Sequence, residues 1–222
     1  MCGRYTHTPG EIRDVRIQLN LDEIFVCPPR YNIAPGQDAP VIVNVDGKIR
    51  PKMMRWGLVP SWARDPAIGN RMINARAETV AEKPAFKRLI GKRRCVVLAD
   101  GFYEWRREGK RKVPMRIVLK DKQPFGFAGL YDVWKQPEGG ELCSFTIITT
   151  EANDLLRPIH DRMPVILDRA CEDRWLDQGL TESKLLTPLL QPFPPDLLEA
   201  YEVSPIINSP ANDRPECIEP AR

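Results

Sequence analysis

The chain has 222 residues, 42% of them hydrophobic, and 33 Lys and Arg against 30 Asp and Glu leave a formal charge of only +3. That is long enough for a substantial core, the composition gives no sign of disorder, and the small charge shifts interest from the sum to its distribution. No apolar run approaches bilayer length, and six scattered cysteines (2, 27, 95, 143, 171 and 217) with no C-x-x-C pair and no signal peptide point to a reducing cytoplasm rather than a disulfide scaffold.

The chain opens MCGRYT. If Met1 is removed, Cys2 presents an α-amine and a thiol on adjacent carbons, a pair no internal cysteine offers. With Met1 attached, Cys2 keeps only its thiol. Prolines then crowd PPRYNIAPGQDAP and predict rigid turns. VIVNV, DGK and IRPKMM read as a hairpin turning at Asp46 and Gly47. WGLVPSW supplies Trp56 and Trp62 beside basic residues; such aromatics either stack on unpaired bases or fill a core. MINARAE puts Asn74, Arg76 and Glu78 on one face of any extended segment, where Asn orients a polar group and Arg forks onto phosphate.

Thr79 and Glu82 have capping-box spacing, which predicts a helix through the eighties ending at Gly91. Lys87, Arg88, Lys92, Arg93 and Arg94 form one basic cluster, and Arg106, Arg107, Lys110, Arg111 and Lys112 another; each suits a solvated face as well as an anionic partner. VVLA, MRIVL, FGFAGL and SFTIITT read as strands. Within ADGFYEW a turn at Asp100 and Gly101 leads into an extended run with Phe102 and Glu104 facing opposite to Tyr103 and Trp105. A carboxylate set among aromatics is desolvated and suited to moving protons near neutral pH, but composition alone favours the plainer alternative, that Glu104 pairs with a nearby surface Arg.

RPIHDRMP holds His160 between two prolines, a candidate for proton transfer, whereas His7 reads as a structural hydrogen-bonding residue. Two histidines without close ligand spacing argue against a Cys/His zinc site, and no metal or cofactor is implied. CEDRWLDQ and SKLLTPLLQ read as late helices, the second limited by Pro188, and the acidic PECIEP tail is either mobile or packed across the surface. The strands do not alternate with long helices, so the class is α+β in one domain spanning 1–222 rather than a doubly wound sheet. No P-loop, dinucleotide fingerprint or zinc finger is present.

Taken together, MCGRYT, YNIAPGQ, WGLVPSW, INARAET, RRCVVLADGFYEW, FAGLYDVW, FTIITTEAN and HDRMPVIL closely resemble the SRAP (SOS response-associated peptidase) family, in the family order, over about residues 2–168. The resemblance implies a compact domain with a curved, mainly antiparallel β core, barrel-like, with peripheral helices. It implies an enzyme that crosslinks to abasic sites in single-stranded DNA, with the mature Cys2 closing a thiazolidine on the ring-opened aldehyde. Asn74, Glu104 and His160 match the other catalytic positions; Arg4, Arg76, Trp62 and Thr149 match or suit contacts to the DNA. Self-processing of Met1, strand cleavage by β-elimination and Glu104-assisted reversal follow as expectations, as do a monomer and a cytoplasmic, DNA-associated location. The family name keeps a cysteine peptidase in play, and a noncovalent DNA-binding module is the third class.

Overall fold

The computed structural model describes residues 2–8 and 27–221. Two twisted sheets carry most of the chain. The first has five strands in the order β13-β8-β7-β1-β2, made of β1 (Tyr5–His7), β2 (Arg30–Ile33), β7 (Gly101–Glu108), β8 (Arg111–Leu119) and β13 (Leu198–Glu202). The second has eight, built from β3 (Asp38–Val45), β4 (Lys48–Trp56), β5 (Asn74–Arg76), β6 (Arg94–Ala99), β9 (Phe125–Lys135), β10 (Glu141–Glu151), β11 (Arg162–Pro164) and β12 (Ile166–Leu167). Pairing is antiparallel except where β10 runs parallel to β4 and β5. Tyr5 and Phe102 from one sheet pack with Trp56, Phe127 and Phe145 from the other, so the main core lies between the two sheets. The expected mostly β architecture with a few peripheral helices is the one observed.

Local sequence accounts for the elements. The β3-β4 hairpin turns at Asp46 (φ 52°) and Gly47 (φ 79°), the left-handed pair that matches strand twist. All six residues of β6 are buried, because β3 and β9 flank it within the sheet while the two apolar clusters take its opposite faces. Gly129 on β9 admits this close packing: a Cβ there would lie 2.8 Å from the Cys95 sulfur. Helix α1 (Arg169–Leu176) starts at Asp168, whose side chain accepts from the Cys171 N–H, and buries Trp175 in the second cluster.

Three expectations are corrected. The segment after Thr79 is a series of turns rather than a continuous helix. Bonds to the fourth residue back form at Lys83, Lys87, Ile90 and Arg93, but Pro84 brings no N–H and interrupts the ladder. Val80, Phe86, Leu89 and Ile90 still enter the core, so burial rather than helix continuity sets the path. His7 is buried, but among the described residues neither ring nitrogen has a hydrogen-bond partner, and burial pushes its pKa down to about 4. SKLLTPLLQ gives a single α turn (Ser183–Leu186), then a 3-10 turn at Thr187–Leu189 around Pro188. Of the two open choices for PECIEP, packing is observed: Cys217 is buried, and Ala221 N–H donates to Glu202 O at 2.8 Å.

Candidate active site

The chain start is brought to the site by strand register. β1 lies between β2 and β7 with Tyr5 opposite Phe102, and Tyr103 N–H donates to Arg4 O at 3.0 Å. Continuing that antiparallel register carries residues 2 and 3 alongside Glu104. On β7 the alternation separates two faces as expected: Phe102 joins the main core, while Tyr103 and Trp105 pack with Val203, Ile207 and Cys217.

Asn74 enters from the other sheet, paired with Ile147 of β10. Its Nδ2 donates to Cys2 O at 2.8 Å, which fixes the Cys2 backbone. Its Oδ1 is buried and has no partner among the described residues, leaving an acceptor beside Cys2. The Cys2 thiol is fully buried and donates weakly toward Arg4 O at 3.8 Å. Burial, and secondarily the nearby Glu104 carboxylate, pushes its pKa well above the ordinary thiol range, so it rests as a neutral thiol.

Glu104 is 2% exposed, and burial raises its carboxyl to about 7. It shares the wall of a cavity of about 400 Å3 with His160, Trp105, Arg107, Lys112 and Asn208. His160 is held by its own loop: Arg162 N–H donates to Nδ1 at 3.0 Å, and the Asp161 carboxylate lies 2.8 Å from the same nitrogen. The two contacts demand opposite states of Nδ1. The backbone donor decides, because Asp161 is almost wholly exposed and its charge is screened, whereas burial lowers the His160 pKa. A neutral ring that accepts at Nδ1 carries its proton on Nε2. Arg162 fixes this loop in turn, through a two-pronged pair to Glu78 (2.7 and 2.9 Å) and a bond to Thr149 O at 2.8 Å.

The four catalytic candidates are therefore linked: Asn74 bonds Cys2, Glu104 acts on the Cys2 thiol, and Glu104 and His160 line one cavity. The binding candidates divide. Arg76 is exposed at the end of β5, opposite Thr149 in register. Thr149 itself is buried with its hydroxyl 3.4 Å from Ala75 O, a support beneath the site. Arg4 donates to Asn32 Oδ1 (2.8 Å), Ile207 O (2.7 Å) and Asn208 O (3.3 Å), so its fork latches the chain start to the last third. Trp62 is 58% exposed and lines a different cavity, whereas Trp56 is a core residue whose Nε1 donates to Ile73 O.

Sequence reasoning missed Trp105, Asn208 and the Glu78-Arg162 pair as parts of the site. Trp105 stood in the quoted ADGFYEW run, and Arg107 and Lys112 stood in the second basic cluster, opposite one another on the β7-β8 hairpin. Nothing local marks Asn208, whose Oδ1 accepts from Trp105 Nε1 at 2.8 Å.

Comparison with known proteins identifies the family. The family model described as SOS response associated peptidase (SRAP) matches residues 1–210. The abasic site processing protein YoqW of Bacillus subtilis is 48% identical over 223 residues, covering 99% of each chain. The abasic site processing protein HMCES of Xenopus tropicalis is 35% identical over 86% of this chain and 65% of its own length. A crystal structure of a protein from Bacteroides thetaiotaomicron superposes with a TM-score of 0.87 at 31% identity, covering all of both chains. With the family model spanning nearly the whole length and a relative 48% identical end to end, the chain belongs to the SRAP family.

Proposed function

We propose that this protein captures abasic sites in single-stranded DNA, closing a thiazolidine between the lesion aldehyde and a Cys2 freed of Met1. The observation that carries the reading is the Cys2 backbone held by Asn74 beside a buried carboxyl whose pKa is raised to about 7. The names of the relatives point the same way: two proteins similar over most of this chain are called abasic site processing proteins.

The chemistry uses both functional groups of an N-terminal cysteine. The neutral α-amine attacks the aldehyde carbon, and loss of water leaves an imine. The Cys2 sulfur then adds to the imine carbon while the thiol proton passes to the imine nitrogen, closing a five-membered ring with release of one water in all. A thiol held neutral by burial suits addition accompanied by proton transfer, and a carboxyl poised near neutrality can relay that proton. In this reading Glu104 moves protons at the amine and in reversal. His160 donates from Nε2 to the sugar oxygen as the furanose opens, and the vacant Oδ1 of Asn74 positions the sugar. Arg76, together with Arg107 and Lys112 at the cavity, supplies cations for phosphates, so affinity falls as salt rises. Met1 removal by the protein itself and strand cleavage by β-elimination from the imine extend the same chemistry.

The peptidase reading requires an activated thiolate, and burial pushes the Cys2 thiol the opposite way. The test is intact mass before and after incubation with single-stranded DNA carrying one abasic site. The expected product, from protein lacking Met1, is a species at protein plus DNA minus water, absent in Cys2→Ala while noncovalent binding persists. Met1-free protein that gives no adduct, or an adduct that survives Cys2→Ala, overturns the proposal.

A further inference from the structure

A second, strongly basic concavity of about 450 Å3 is rimmed by Trp62, Lys87, Arg88, Lys92 and Arg93, with Asp132 as its carboxylate. Lys87, Arg88 and Lys92 are exposed, and none forms an ion pair among the described residues. Arg93 is committed: its guanidinium lies over the Tyr131 ring at 5.6 Å and 3.9 Å from Asp132. Asp132 is itself engaged by the Ser61 N–H at 2.7 Å, so it anchors the Trp62 turn more than it neutralises the free cations.

The cavity is shaped by the fold rather than by flexible side chains alone. Successive turns between 83 and 93 present Lys87, Arg88 and Lys92 outward while Phe86, Leu89 and Ile90 go into the core. Gly91 packs against the 181 loop with no room for a side chain, since a Cβ would lie 2.6 Å from Thr181 O. The opposite wall is tied to the lesion site by one strand. Val59 N–H donates to the Ser144 hydroxyl at 2.8 Å, just before Trp62, and three residues farther along the same β10 Ile147 pairs with Asn74.

We propose that this cavity is a second contact for the captured DNA strand, in which phosphodiesters flanking the lesion lie along Lys87, Arg88 and Lys92 beyond a base stacked on Trp62. An exposed indole beside unpaired cations has the composition of a single-strand track: the ring accepts any base face and the cations follow the backbone. The inference rests on the proposed DNA substrate, but its readout does not require the covalent step.

The experiment measures equilibrium binding of undamaged single-stranded DNA, about 5 and about 20 nucleotides long, across a salt series, a range chosen around the usual footprint of such modules. Each phosphate contact on a single strand contributes about 0.7 to the slope of log K against log salt, so the triple variant Lys87→Ala/Arg88→Ala/Lys92→Ala should flatten the slope for the long strand by about 2. Lys87→Arg/Lys92→Arg should keep the wild-type slope, which separates charge from folding. An unchanged slope on the long strand overturns the proposal. So does an equal change on the short strand, which would place the charges in the lesion groove. Saturable binding of thymidine monophosphate that depends on the three cations, with no change for the long strand, would assign the cavity to free phosphate ligands instead. Flattening of the long-strand slope in a protein that forms no adduct with any abasic DNA would leave this contact standing while the crosslinking reading fails.

Discussion

Replacing Glu104 with Gln isolates the energetic consequence of a charge held against the core. The carboxyl is 2% exposed, and its pKa is raised by burial from 4.5 to about 7. Below pH 4.5 the group is protonated in folded and unfolded chains alike and contributes no pH dependence. Between about 4.5 and 7 the folded state binds more proton than the unfolded state, so stability falls as pH rises, and above 7 the full penalty is present. The raised pKa corresponds to roughly 3 kcal/mol at pH 8. Gln keeps shape and polarity without the charge, so Glu104→Gln should gain up to that amount at pH 8 relative to its effect at pH 4. Urea unfolding at the two pH values measures it: with a slope of about 2 kcal/mol per M, the midpoint difference should move by about 1.5 M. Equal midpoint changes at both pH values would refute the claim that a buried ionised Glu104 is carried at a cost. The same variant should form adduct more slowly, so that stability and activity move in opposite directions.

Arg162→Ala should loosen the loop carrying His160 and shift the pH profile of adduct formation, and Arg162→Lys should restore it poorly because one ammonium cannot reproduce the paired contact to Glu78 together with the bond to Thr149 O. An unaltered profile in Arg162→Ala would remove Arg162 as a positioning residue. Glu172 is buried on α1 with its carboxyl pushed up to about 8, so wild-type stability should decline by a few kcal/mol between pH 4.5 and 8, and Glu172→Gln should flatten that decline in urea titrations across the range. Gly126→Ala should destabilise the fold by about 1–3 kcal/mol in thermal or urea unfolding, because its Cβ would meet Val96 Cγ1 at 2.2 Å and Glu172 Oε1 at 2.6 Å.

The strands were legible because their signals are local, whereas Asn74, Glu104 and His160 stood out through the family resemblance of the motifs that hold them. Alternation in GFYEW separates Glu104 from Tyr103, Asp46-Gly47 specifies a hairpin turn, and INARAE places Asn74 and Arg76 two apart on one strand. What escaped depends on contacts between distant segments. Pro84 defeats a capping-box reading of Thr79 and Glu82 that spacing alone favours. Arg4 looks like a phosphate ligand in MCGRYT, but its acceptors at Ile207 and Asn208 carry no mark of that pairing in sequence. Glu78 and Arg162 meet only because β10 lies between β5 and β11.

That latch at Arg4 also bears on when the chain start is fixed during synthesis. Cys2 leaves the ribosome first, whereas Ile207, which accepts from Arg4 and from Asn32, follows some two hundred residues later. Asn208, which meets both Arg4 and Trp105, arrives with it. A nascent chain thus carries Cys2 without the contacts that hold Arg4 until Ile207 and Asn208 have been made. An interrupted product ending before Ile207 has the cysteine but lacks both carbonyls that accept from Arg4.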